Sequence, residues 1–136
     1  MPEIEIRAPA AGAALAMRLR SQIVFRHEPR AARYRIRFAP GPAVAPGPWS
    51  VVFPKEKLRP AGEGAWSITL EDAGPARLAS PKIEIPAESF WAGIAKLTEE
   101  STRVNHRIVA IRVEALGARD ESAEAASPWR KLVLEP

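Results

Sequence analysis

Residues 15–38, LAMRLRSQIVFRHEPRAARYRIRF, carry seven arginines in twenty-four positions. Whether those arginines grip a polyanion or wet one side of a sheet decides how the chain is read, and their spacing speaks first to the fold. Successive side chains of a strand point to opposite faces. From Leu15 the odd positions run Leu15, Met17, Leu19, Ser21, Ile23, Phe25, and the even ones Ala16, Arg18, Arg20, Gln22, Val24, Arg26. This alternation outlasts the usual strand of about five or six residues, so the segment either bends near Ser21 or serves two sheets in turn.

HEPR at 27–30 ends the run, because Pro29 fixes its own φ and pushes Glu28 out of the helical region. The next run puts Tyr34, Ile36 and Phe38 on one face and Arg33, Arg35 and Arg37 on the other. The two runs are expected to form an antiparallel pair across a short turn, with their arginines on the same side of one sheet. Like charges directly opposite each other are destabilising. An offset is therefore required, either from Glu3, Glu5 or Glu114 or from an external anion.

Outward from this stretch the chain keeps to short strands. APGPAVAPGPWSVVFP carries Pro40, Pro42, Pro46 and Pro48 and reads as a stiff extended loop or an arm leading into a strand from Trp49 to Phe53. GAWSITLED sets Trp66, Ile68 and Leu70 opposite Ser67, Thr69 and Glu71, and PKIEIP is a short strand bounded by prolines; both are expected to be half exposed. PAESFWAGIAKLTEES, with Phe90, Ile94 and Leu97 at helical spacing, predicts one short helix. Near the C-terminus Val109, Ile111 and Val113 face inward with Ile108, Arg112 and Glu114 opposite; GARDESAEAAS is expected to be a polar hairpin loop and WRKLVLEP the closing strand.

The composition fits one domain, residues 1–136: 46% hydrophobic and 26% charged, with fourteen prolines against a usual share of about 5%. No cysteine is present, so disulfides and thiolate chemistry are excluded. The start, MPEIEIRAPAAG, has no apolar secretory region, and no apolar run approaches the ~18 residues of a membrane span. The expectation is a cytoplasmically made chain without membrane insertion. Residues 1–40 hold eight arginines against Glu3, Glu5 and Glu28, a balance of +5, while the whole chain carries +4, so the positive charge belongs to the N-terminal third.

HRIVAIRVEALGARDESAEAASPWRKLVL resembles the last two strands and their connection in fibronectin type III and related immunoglobulin-like sandwiches, with SPW leading into the final strand. IEIRAPAAGAA resembles the first strand of bacterial immunoglobulin-like modules. The resemblance implies an all-β, antiparallel immunoglobulin-like β-sandwich, here with one short helix and a proline-rich loop. His106 stands where a tyrosine is common, Phe25 where a tryptophan is expected, and the chain exceeds the usual ~100 residues. A jelly roll is the alternative sandwich.

Catalytic chemistry finds little footing. His27 and His106 lie far apart with no HExxH and no carboxylate spacing to complete a metal site, and read as structural or surface groups. There is no G-x-S-x-G, Glu99 and Glu100 diverge around a helix as a solvated pair, and GEG at 62–64 is a turn rather than a phosphate cradle. No catalytic residue, metal or cofactor is expected. Trp49, Pro46, Pro48, Phe90 and Trp91 are candidates for a protein interface, since exposed aromatic anchors dominate such surfaces. Arg18, Arg20, Arg26, Arg33, Arg35 and Arg37 are candidates for a polyanion face, which would give steep salt dependence. That face lacks interleaved aromatics, because Tyr34 and Phe38 point the other way. The favoured reading is a non-enzymatic structural or protein-interaction module in a larger assembly, such as a bacteriophage virion or a bacterial surface or secretion machine, with subunits of the same or a neighbouring chain as partners. A nucleic-acid or polyanion binder and a carbohydrate-binding sandwich are the alternatives.

Overall fold

The computed structural model describes residues 2–16, 22–27, 30–40, 49–70, 76–78, 83–85, 108–119 and 122–135. In chain order these residues form β1 (Glu5–Ala8), β2 (Ala14–Ala16), β3 (Gln22–Arg26), β4 (Arg33–Pro40) and β5 (Trp49–Pro54). A 3-10 turn at Lys55–Lys57 leads to β6 (Arg59–Pro60) and β7 (Ala65–Thr69), followed by β8 (Ala76–Leu78) and β9 (Ile83–Ile85). The chain closes with β10 (Ile108–Leu116), β11 (Ala123–Ala126) and β12 (Arg130–Glu135). Two sheets result: a small one ordered β1-β3-β7-β6, and a large one ordered β2-β12-β10-β4-β5-β8-β9 with β11 beside β10. Strand pairs are antiparallel except β2 with β12. The chain is thus an antiparallel β-sandwich among the described residues.

Period-two alternation produces the core between the sheets. Ile23, Phe25 and Ile68 come from the small sheet, and Tyr34, Ile36, Phe38, Val51, Phe53, Val109, Ile111 and Val113 from the large one, all at most 1% exposed. Each such side chain contributes roughly 2 kcal/mol by leaving water. Across the gap the Phe25 and Tyr34 rings meet at 5.2 Å, and Tyr34 stacks on Phe53 at 6.0 Å. Phe25 is thus a central core residue of the small sheet.

The long alternating run from Leu15 does serve two sheets in turn: Ala14–Ala16 lies in the large sheet and Gln22–Arg26 in the small one. The expected pairing of β3 with β4 is overturned. They belong to opposite sheets, so Ile23 and Phe25 face Tyr34, Ile36 and Phe38 across the core while the arginines of the two strands point away from each other. Alternation dictates which face is buried but not which strand lies alongside.

Two further expectations change. The hairpin loop GARDESAEAAS is shorter, because Ala123–Ala126 pairs with β10 as β11, and Ala125 and Ala126 are buried. The outer face of β7 is not half exposed at every position, since Ser67 is buried where β6 pairs over it, its Oγ 3.4 Å from the Arg59 carbonyl. GEG does form a turn: Gly62 and Gly64 take φ of +80° and +75°, the left-handed region that suits glycine. The predicted helix over 86–101 and the proline stretch 41–48 lie outside the described residues.

At the other end of the large sheet, Ser127 bridges the break between β11 and β12. Its amide donates to the Val113 carbonyl at 2.8 Å, its Oγ accepts from the Val113 N–H at 2.9 Å and donates to the Pro128 carbonyl at 2.9 Å. Residues before β1 pair beside β11, and β2 pairs beside β12, so the N-terminal segment crosses from large sheet to small and back. Arg130 fastens that crossing, its Nη1 donating to the carbonyls of Ile6 at 2.6 Å and Pro9 at 3.1 Å.

Candidate functional site

The outward face of β4 carries Arg33, Arg35 and Arg37, because Tyr34, Ile36 and Phe38 claim the core side. β4 lies between β10 and β5, and the register sets three cross-strand rows: Arg33 with Leu116 and Pro54, Arg35 with Glu114 and Val52, Arg37 with Arg112 and Ser50. Glu114 is the offset that the arginine spacing demands. Its Oε1 accepts from the Nε of Arg35 and the Nε of Arg37, both at 2.7 Å, while Oε2 lies 3.6 Å from the Nε of Arg112. Arg33 donates from Nε to the Gly117 carbonyl at 3.0 Å.

Burial grades these groups. The Glu114 and Arg35 side chains are 7% and 10% exposed, whereas Arg37 and Arg112 are 26% and 29% exposed. Burial alone raises the Glu114 pKa, but hydrogen bonds from Arg35 and Arg37 and their positive charges outweigh it and hold the carboxyl below its ordinary value. Glu114 is therefore ionised at neutral pH, the fixed point around which the guanidinium groups are arranged. Among the described residues it is the one carboxylate with which Arg37 and Arg112 pair. Those two arginines stand directly opposite each other, and among the described residues the buried Nε of Arg112 has no hydrogen-bond partner.

Of the expected polyanion face, Arg33, Arg35 and Arg37 share the outside of the large sheet, but Arg26 is exposed on the small sheet in the row with Glu5. The single face is thereby corrected: opposite sheets of a sandwich expose opposite sides. Arg18, Arg20, Pro46, Pro48, Phe90 and Trp91 lie outside the described residues, and Trp49 is described only as backbone in β5, paired with Phe38 and Leu78. Arg112 reads from the sequence as outward-facing but not as part of the arginine face, because its place there depends on the register of two strands far apart in the chain. Its outward position opposite inward Val113 was the signal that could have found it.

His27 and Tyr34 are engaged with each other within the fold. His27 Nδ1 lies 2.9 Å from the Tyr34 hydroxyl, and burial pushes the Tyr34 pKa up to about 12. A small cavity of about 100 Å³ lies against Glu3, Glu5, Pro128, Trp129 and Arg130, where the N-terminal segment changes sheets. Among the described residues no three His, Asp or Glu side chains are grouped to hold a metal, and no helix is long and apolar enough to cross a membrane. Compared with protein-family models, curated proteins and solved structures, the chain gives no match in any of the three.

Proposed function

We propose that this chain is an immunoglobulin-like sandwich acting as a non-enzymatic protein-interaction module, and that the arginine face of its large sheet is the contact surface. The strand order supports the immunoglobulin-like part: β1-β3-β7 on one sheet and β4-β10-β12 on the other follow the order of the first, second and fifth strands against the third, sixth and seventh of such domains, with β5 added beside β4. The strands β8 and β9 extend that second sheet beyond β5.

The observation that carries the interaction reading is the arrangement of Arg35, Arg37 and Arg112 about one ionised carboxylate on the outside of a sheet. Such a face complements an acidic protein surface, and complementary charge steers encounter and fixes register. Among the described residues the buried polar groups Arg35, Ser67, Glu114 and Ser127 each make bonds within the fold. A place in a virion or a bacterial surface or secretion machine rests on fold analogy.

The second reading, a nucleic-acid or polyanion binder, is favoured by the same arginines. Size-exclusion chromatography with light scattering, at low and high salt and with and without duplex DNA, separates the two. Self-association or partner assembly unaffected by DNA is the expected result. A monomer that shifts onto DNA at low salt and releases it at high salt would favour the second reading instead.

A further inference from the structure

The face contains a specific seat. Arg37 on β4 and Arg112 on β10 are cross-strand partners, an arrangement of like charges that a sheet ordinarily avoids. Glu114 accepts a short bond from Arg37 but lies 3.6 Å from the Arg112 Nε, which is buried and, among the described residues, without a hydrogen-bond acceptor. A buried donor left without an acceptor marks local strain in the row, and the Nε itself is closed to solvent, so an incoming group meets the exposed part of the guanidinium. Both side chains remain about a quarter exposed, so the pair is open on its outer side.

We infer that Arg37 and Arg112 form an oxyanion seat that takes a carboxylate from an acidic segment of a protein partner. A carboxylate placed over the pair accepts from both guanidinium groups and separates their charges, the planar geometry for which arginine is suited. The neighbours favour a single carboxylate over a run of phosphates. Glu114 lies one row away and repels further negative charge, Arg35 is nearly buried, and Val52, 41% exposed on the adjoining strand, offers an apolar contact instead of a stacking ring. This deepens the interaction reading and rests on it for the partner's identity, not for the existence of the seat.

The seat makes stability and binding respond to Arg112 in opposite directions. In the free protein Arg112→Gln removes the like-charge pair, so the variant is expected to be no less stable than the parent. Binding of poly-glutamate, followed by titration calorimetry at fixed ionic strength, is expected to weaken about tenfold, the factor equal to about 1.4 kcal/mol. Arg119→Gln, in the exposed turn after β10, is expected to leave it unchanged. Undiminished poly-glutamate binding by Arg112→Gln, or no binding by the parent chain, would overturn the seat. Duplex DNA binding more tightly than poly-glutamate through Arg112 would overturn the assignment to a protein carboxylate. If Arg112-dependent binding is found but the chain takes part in no assembly by light scattering, the interaction-module reading falls while the seat stands.

Discussion

At the scale of single residues, and among the described ones, Glu114 and Tyr34 are the two titratable groups whose environment the fold changes most clearly, and they act at opposite ends of the pH range. The Glu114 pKa lies below its unfolded value, so its contribution to stability is present above the ordinary carboxylate range and is lost as pH falls through the folded value. Glu114→Gln leaves Arg35 nearly buried without its carboxylate and is expected to cost about 3 kcal/mol at neutral pH. Urea unfolding from neutral pH downward checks this, since the difference between parent and variant should shrink below pH of about 4. A constant difference would assign the loss to packing. Tyr34 holds its proton to about pH 12 when folded, against about 10 when unfolded, so its contribution is complete below pH 10 and lost as pH rises towards 12. The shift amounts to about 3 kcal/mol, and because the chain has one tyrosine, absorbance titration reads it directly. A midpoint near 10 would contradict the burial.

At the scale of elements, alternation was legible and pairing was not. Tyr34, Ile36 and Phe38 inward with Arg33, Arg35 and Arg37 outward, and Val109, Ile111 and Val113 inward with Glu114 outward, could be read from spacing alone because one face had to leave water. The same spacing placed β3 beside β4, although the chain crosses between sheets after His27; both arrangements bury the same side chains. The Arg35–Glu114 bond joins residues far apart in sequence, so its need was legible but the register that satisfies it was not. Ala123–Ala126 lacks the apolar alternation that would reveal a strand, and it is held by backbone bonds and by Ser127. Ser127→Ala removes the acceptor of the buried Val113 N–H and is expected to cost about 2 kcal/mol. Hydrogen exchange at Val113 should accelerate more than at Ile111; equal protection would show that the kink holds without the hydroxyl. Arg130→Met keeps the apolar stem and leaves the Ile6 and Pro9 carbonyls without their donor, so exchange is expected to accelerate across residues 4–13 while β4 and β10 keep their protection.

At the scale of the whole molecule, the sandwich sends Arg26 of β3 and the arginines of β4 to opposite outer faces, so among the described residues these charges do not share one surface. What forms instead is a local cluster on the large sheet, organised by Glu114. Replacing Arg33, Arg35 and Arg37 together by glutamate would bury new carboxylates beside Glu114 and threaten the fold, whereas Arg37 and Arg112 are exposed enough to change separately. Arginine side-chain nuclear magnetic resonance tests the face most directly. The account predicts slowly exchanging Nε–H signals from Arg35 and Arg37, held by Glu114, and shifts of the Arg37 and Arg112 signals when poly-glutamate is added. Poly-glutamate that binds without moving either signal would contradict it.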